Sequence, residues 1–280
     1  MKIGFIGAGK VGFSLGKHFG LHGAVIGGYY SKNPLSARKA ADFTGSRQYK
    51  SLDQILSDND VLFLTVPDGE IQSVWNSLKI LPCVKNKIIC HCSGALSSYI
   101  FSDAEELSVF GFSVHPIFAF YSKTESYKQL SNSIFTVEGS PQKMDEIVSL
   151  ISGMGNDVRV ISGQAKTKYH AAAVMASNQM TALAHSAVGL LCECGFSPQQ
   201  ALDALIPLMS GNLANIAEVG TVQALTGPIE RNDLQTVQAH LECLENGQRA
   251  LYQNLSQVLV EIAREKHPDR NYDEIEGLLK

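Results

Sequence analysis

The chain opens Met1-Lys2-Ile3-Gly4-Phe5-Ile6-Gly7-Ala8-Gly9-Lys10-Val11-Gly12, and this stretch decides the fold. A short apolar run ends in a G-x-G-x-x-G turn, and a helical pattern carrying Phe13, Leu15, Gly16 and Phe19 follows at once. Strand, glycine turn and helix in that order form the entry to a dinucleotide-binding βαβ unit. The first glycine permits the tight turn, the second lets backbone approach a pyrophosphate, and the third lets helix and strand pack closely. The helix N-terminus, with its unpaired N–H groups and its dipole, favours the phosphate charge. Taken alone, the pattern also fits a merely structural turn. Its place between a strand and a helix favours the cofactor reading, with Gly7, Gly9, Lys10, Val11 and Gly12 as contacts.

Outward from that turn, short apolar runs at 24–29, 60–66, 87–92 and 109–114 alternate with helical patterns, and 134–138 and 158–161 extend the series. Such alternation specifies a parallel sheet with crossover helices. Val61-Leu62-Phe63-Leu64-Thr65-Val66 is nearly continuous in apolar residues, as a strand covered on both faces requires. After Ser162 the strand signals nearly vanish. Helices are expected at 168–194, from Ser197-Pro198 onward, and at 233–266, the last stopped by Pro268. The fold class is therefore α/β: an N-terminal Rossmann doubly wound parallel sheet over 1–162 and an all-α C-terminal domain over 163–280. A ligand cleft is expected where the two domains join.

Cofactor choice is read about 20 residues past the glycines, where an acid would bond the ribose 2′-hydroxyl of NAD. Tyr29-Tyr30-Ser31-Lys32-Asn33 offers no acid there. A hydroxyl at Ser31 and a cation at Lys32, with Arg38 one turn into the next helix, suit a 2′-phosphate and predict NADP(H). The alternative is that both cations are solvated surface charges. Val66-Pro67 and Ser93-Gly94 follow the third and fourth strands at the carboxyl edge, where ligands dock in such sheets. Ser93 and Gly94 are expected to offer a hydroxyl and N–H groups to the nicotinamide ribose or a substrate anion, unless they form an ordinary turn. His115 either lines the cleft or fills a turn.

In the helical half, His170, Ser177, Asn178, Thr181 and His185 fall within about 100° of arc on a wheel of 100° per residue. Ala, Val, Met and Leu surround this polar stripe. In a buried helix such groups need partners: a ligand, neighbouring helices or a dimer interface. Farther on, Thr226-Gly227-Pro228-Ile229-Glu230-Arg231-Asn232-Asp233 opens a helix that carries Thr236 and His240, with Asn232 or Asp233 as its N-cap. Arg231 suits bidentate capture of a carboxylate, the alternative being a solvated surface arginine.

Composition closes several doors. Lys plus Arg number 23 against 27 Asp plus Glu, so a net charge of −4 leaves no basic footprint for nucleic acid. At 45% hydrophobic and 18% charged residues, the 280-residue chain is too apolar for a disordered protein. Gly4 and Gly7 interrupt the first apolar run well short of a signal peptide, and no run approaches the roughly 18 residues of a membrane span. A soluble, cytoplasmic protein with no membrane partner is expected. Cys90-His91-Cys92 and Cys192-Glu193-Cys194 lack the C-x₂₋₄-C spacing of zinc sites, so no metal is expected and buried thiols are.

The residues His91-Cys92-Ser93-Gly94-Ala95-Leu96, Lys168-Tyr169-His170-Ala171-Ala172-Ala173 through Ser177-Asn178, and Leu225 with the segment 226–233, resemble a known family. It comprises Rossmann-like proteins with an uncharacterised C-terminal helical domain. The resemblance covers nearly the whole chain. That family looks like a branch of the 6-phosphogluconate dehydrogenase-like reductases, beside ketopantoate reductase, pyrroline-5-carboxylate reductase and deazaflavin-dependent NADP oxidoreductase. Some members are alternative ketopantoate reductases of pantothenate synthesis. The resemblance therefore implies NADPH-dependent reduction of a small 2-oxo acid, 2-dehydropantoate first.

Ordinary ketopantoate reductases carry a lysine eight residues before an asparagine followed by Pro-Leu-Thr-Ala. Here Asn178-Gln179-Met180-Thr181-Ala182 is similar, His170 stands in the lysine's place, and Val174 replaces an intermediate asparagine. The ordinary mechanism does not transfer. His170 takes the proton-donor position with Lys168 as a less well-directed substitute, Asn178 bonds the carbonyl or hydroxyl, Arg231 holds the carboxylate, and Asp233 completes the catalytic candidates. An imine reductase of the pyrroline-5-carboxylate type and a non-catalytic NADP-binding sensor are the alternatives. A homodimer through the helical domain is expected, because relatives build their clefts that way and Ala-rich helices pack closely.

Overall fold

Alternation along the central strands builds two cores from one sheet. In β1 (Lys2–Ile6), Ile3 and Phe5 join one buried cluster and Ile6 the other. The rest of the first half follows as α1 (Lys10–Leu21), β2 (Val25–Tyr30), α2 (Pro34–Thr44), β3 (Arg47–Gln48), α3 (Leu52–Asp58), β4 (Val61–Leu64), α4 (Asp68–Leu78), β5 (Ile88–His91), β6 (Phe110–Pro116), β7 (Phe135–Gly139), α5 (Met144–Ser152) and β8 (Val158–Val160). In β4, Val61 and Phe63 face the first cluster while Leu62 and Leu64 face the second, so the sheet is covered on both sides as expected. This computed structural model describes residues 1–280, which divide into two units, Met1–Ser177 and Asn178–Lys280.

The sheet order is β3-β2-β1-β4-β5-β6-β7-β8, the doubly wound order at its first six positions. The expectation of a parallel sheet needs one correction. β7 pairs with β6 antiparallel, and β8 runs parallel to β7. Between β6 and β7 the chain forms only a 3-10 segment, Ser126–Asn132, where a parallel crossover would need a covering α-helix. β3, only two residues long, was not among the expected strands.

Around the glycine turn the packing is tight. The Tyr29 hydroxyl donates to the Gly12 carbonyl at 3.0 Å, and a Cβ placed on Gly16 would overlap that hydroxyl. α1 therefore lies this close to β2 because position 16 is glycine.

The long helix expected at 168–194 is present as α6 (Lys166–Val174), a π-helical turn at Met175–Gln179, and α7 (Met180–Glu193). A π turn carries an extra residue, so the single wheel that joined His170 to Asn178, Thr181 and His185 does not hold across it. In the second unit, α8 (Pro198–Ala224) starts at the expected Ser197-Pro198 with a capping box between Ser197 and Gln200. The helix expected at 233–266 is two, α9 (Leu234–Cys243) and α10 (Asn246–Lys266), because Glu245 and Gln248 form a second capping box in mid-pattern. α11 (Asp273–Leu278) closes the chain. Leu225, Ile229, Val237, Val260, Tyr272 and Ile275 form this unit's buried core. No helix is long and apolar enough to cross a membrane.

Candidate functional site

The first unit carries two adjoining features at the carboxyl edge of its sheet. The first is the glycine turn. Gly7 has φ of +111° and its Cβ side is closed by the Thr65 carbonyl, so only glycine fits there. At Gly9 the nearest atom to an added Cβ is 3.9 Å away, which leaves its backbone bare. Gly12, in contrast, is buried against Thr65 and Gly7, the close-packing role expected of the third glycine. Beside the turn lies a cavity of about 510 Å³ that brings together Gly7, Gly9, Ser31, Lys32, Val66 and Pro67. A polar loop, bare glycine backbone and one lysine fit the phosphate-bearing half of a dinucleotide.

Other expected contacts fall outside that cavity. Lys10 is exposed, Val11 packs on the first core cluster, and Arg38 pairs with Asp42 at 3.9 Å on the solvent side of α2. Lys32 forms an ion pair with Glu70 of α4, a partner its sequence neighbourhood did not announce.

The second feature is a polar cluster around the loop after β5. Ser93 was expected to offer its hydroxyl to a ligand. Instead that hydroxyl donates to Asp68 Oδ2 at 2.6 Å and accepts from the N–H groups of Ala95 and Leu96 at 3.2 and 3.0 Å. It ties the loop to the start of α4 and is 4% exposed as a residue. His91 Nδ1 accepts from Ser93 N–H at 3.2 Å, so its proton sits on Nε2, which donates to the Ser97 carbonyl. Burial, with the Lys166 charge adding to it, pushes His91 down to about 4.

One turn of α6 supplies three side chains to this cluster. Lys166, Tyr169 and His170 stand at i, i+3 and i+4, one helix face. Lys166 is 1% exposed, and its Nζ donates to the Ser93 carbonyl at 2.9 Å and the Ser113 hydroxyl at 2.8 Å. Burial pulls it down to about 8, against the raising influence of Glu138, Cys92 and Asp68. The Tyr169 hydroxyl is 2.6 Å from His115 Nδ1, and the His115 and His170 rings lie 6.4 Å apart. His115 is held down at about 3 by burial first, then by Lys166, His170 and His91. A Cβ on Gly94 would run into both imidazoles, so Gly94 is the floor on which His170 and His115 rest. His115 thus lines the cluster rather than merely filling a turn. Lys168, the expected substitute donor, is exposed; Lys166, two residues earlier, is the buried lysine.

Residues expected from the second unit have separate surroundings. Asn178 and Arg231 are exposed. Asp233 caps α9: its Oδ1 accepts from Thr236 N–H at 3.1 Å and its Oδ2 from the Thr236 hydroxyl at 2.7 Å. Its carboxylate makes that cap, and of the two expected N-cap candidates, Asn232 and Asp233, it is Asp233 that takes the position. His240 Nδ1 meets the Tyr252 hydroxyl at 2.9 Å. All six cysteines are free thiols, with Cys194 exposed against expectation and Cys90 buried. No group of three or more His, Cys, Asp or Glu side chains is arranged to hold a metal.

A doubly wound sheet with a glycine turn at its first crossover, followed by a helical unit, defines a Rossmann-like protein with a helical C-terminal part. Residues 1–116 match the Rossmann-like domain family, and residues 133–259 match the domain of unknown function DUF2520. The chain thus carries a Rossmann-like match followed by a DUF2520 match. It is similar to the crystal structure of protein TM1727 from Thermotoga maritima, at 29% identity and TM-score 0.75 over 94% of this chain and 99% of that one. A candidate NADP oxidoreductase from Bacteroides fragilis, BF3122, follows at 22% identity and TM-score 0.72, covering 93% and 98%. The fold extends to a Plasmodium falciparum pyrroline carboxylate reductase with NADP bound, at 13% identity and TM-score 0.59 over 100% and 98%. None of the curated proteins matches the chain in sequence.

Proposed function

We propose that this protein is an NADP(H)-dependent oxidoreductase that reduces a small 2-oxo acid, with 2-dehydropantoate as the first substrate to try. The observation that carries the reading is the glycine turn opening, with its bare Gly9 backbone, on a cavity that also holds Ser31 and Lys32. The cofactor named with the Bacteroides fragilis and Plasmodium falciparum proteins supports NADP(H), and the resemblance to alternative ketopantoate reductases supports the oxo acid. When bound, the dinucleotide supplies a hydride to the carbonyl carbon.

The chain must supply the rest. His170 is the proposed donor of the proton that the carbonyl oxygen needs to become a hydroxyl, aided by Gly94, which leaves room for its ring. His115, held neutral in the physiological range, adds no second positive charge beside Lys166. Arg231 is the proposed holder of the carboxylate and Asn178 of the carbonyl. Ser93 acts through the loop it braces, and Gly94 presents backbone in its place. We also infer that the chain works as a homodimer through its helical unit.

The test is loss of reduced-nicotinamide absorbance with 2-dehydropantoate, other 2-oxo acids and pyrroline-5-carboxylate. Turnover with an oxo acid that falls by roughly 10²-fold or more in His170→Ala, with NADPH saturating, is the expected result. Undiminished turnover in that variant removes His170 from the role, turnover only with the imine replaces the substrate class, and NADPH binding without any oxidation leaves a sensor.

A further inference from the structure

Lys32 and Glu70 are the only charged side chains lining the cavity beside the glycine turn, and they are paired with each other. Lys32 stands just past β2, and Glu70 in the first turn of α4. We propose that Glu70 is a specificity-determining residue whose carboxylate competes with a 2′-phosphate for Lys32, and so narrows the preference for NADPH over NADH. The inference rests on the dinucleotide reading above and deepens it.

The loop after β2 has no acid, and that absence is what favours a phosphate there. Glu70 restores a carboxylate to the same place from a different crossover. A phosphate held by Lys32 must occupy the position from which Glu70 now bonds the ammonium, or sit beside it. In either case two negative groups share one cation. The other polar side chains of the lining, Tyr30, Ser31, Ser36, Thr65, Ser73 and Ser77, carry hydroxyls and no charge to offset them. Asp68, the other acid in the first turn of α4, is bound by the Ser93 hydroxyl and is not part of the cavity lining. Lys32 is largely exposed and Glu70 nearly half exposed, at 78% and 44% of the side chain, so the competition is screened and its effect modest.

The experiment is a fluorescence titration of the intact protein with NADPH and with NADH, for wild type, Glu70→Gln and Glu70→Ala, after thermal melts have established that each variant is folded. The ratio of the NADH to the NADPH dissociation constant is expected to rise about 3- to 10-fold in both variants, and to rise less in high salt. An unchanged or lowered ratio overturns the proposal, a lowered one meaning that Glu70 orients Lys32 toward the phosphate. If wild type binds neither dinucleotide, the cofactor reading falls and this inference with it. Binding by wild type with an unmoved ratio overturns the inference alone.

Discussion

Lys166 is buried against two neutral oxygens, the Ser93 carbonyl and the Ser113 hydroxyl, rather than against a carboxylate. A buried ammonium held in this way is costly, and perturbed groups of this kind gather at functional sites. Its charge also helps keep His91 and His115 neutral. The consequence can be read in the pH dependence of stability. Both histidines are neutral above about 6.5 whether the chain is folded or not. Below that pH the unfolded chain takes up protons, while folded His115 waits until about 3 and His91 until about 4. Stability therefore falls as pH drops from 6.5, by about 1.4 kcal/mol per pH unit for each histidine. Urea unfolding of His115→Gln at several pH values between 5 and 6.5 is expected to show a slope shallower by about that amount, whatever its absolute stability. A slope equal to wild type would mean that His115 titrates normally. Sequence reading reached His170 by its spacing from Asn178, and passed over Lys166. Burial was the deciding property, and four charged or polar residues in a row at 166–169 look like solvent-facing helix.

At the scale of elements, α1 packs on β2 at Gly16, which has no place in the G-x-G-x-x-G pattern. Gly16→Ala improves helix propensity by about 1 kcal/mol, yet its Cβ would overlap the Tyr29 hydroxyl and disturb its bond to the Gly12 carbonyl. A net loss of about 1–3 kcal/mol is expected by chemical denaturation, partly recovered by adding Tyr29→Phe, which removes the overlapping oxygen. A stabilised Gly16→Ala would show that the helix can shift. The central strands were legible because buried parallel strands are apolar on both faces, and α8 because Ser197, Pro198 and Gln200 are its cap. Strand direction was not, since alternation looks the same either way, and so the reversal at β7 went unseen. The π turn at Met175–Gln179 adds one residue to the helical repeat without changing composition. The break between α9 and α10 interrupts a pattern whose apolar spacing continues across it.

For the whole molecule, much of the lining of the glycine-turn cavity was legible and the polar cluster around Lys166 was not, for a reason of distance along the chain. Gly7, Gly9, Ser31 and Lys32 come from consecutive elements of one βαβ unit, whereas Ser93 and Lys166 of the polar cluster stand more than 70 residues apart. The helical unit also departs from the expectation of a buried polar stripe. α7 buries no residue, Asn178, Thr181 and His185 are exposed, and α8 buries only Ala201 and Ala224. Along α8, Leu202, Ile206, Leu213 and Ile216 are 39–52% exposed and fall within about 80° of arc, a continuous apolar stripe. The only charges on this 27-residue helix are Asp203 and Glu218. A helix so apolar is normally covered, and a second copy of the chain is the cover we infer. Sedimentation at micromolar concentration is expected to give a dimer for wild type and a folded monomer for Ile206→Glu combined with Leu213→Glu. Both side chains are half exposed within one chain, so the double substitution should leave the melting temperature of the first unit's core little changed. A wild type that sediments as a monomer, or a double variant that remains dimeric, would place the contact elsewhere and leave the α8 stripe unexplained.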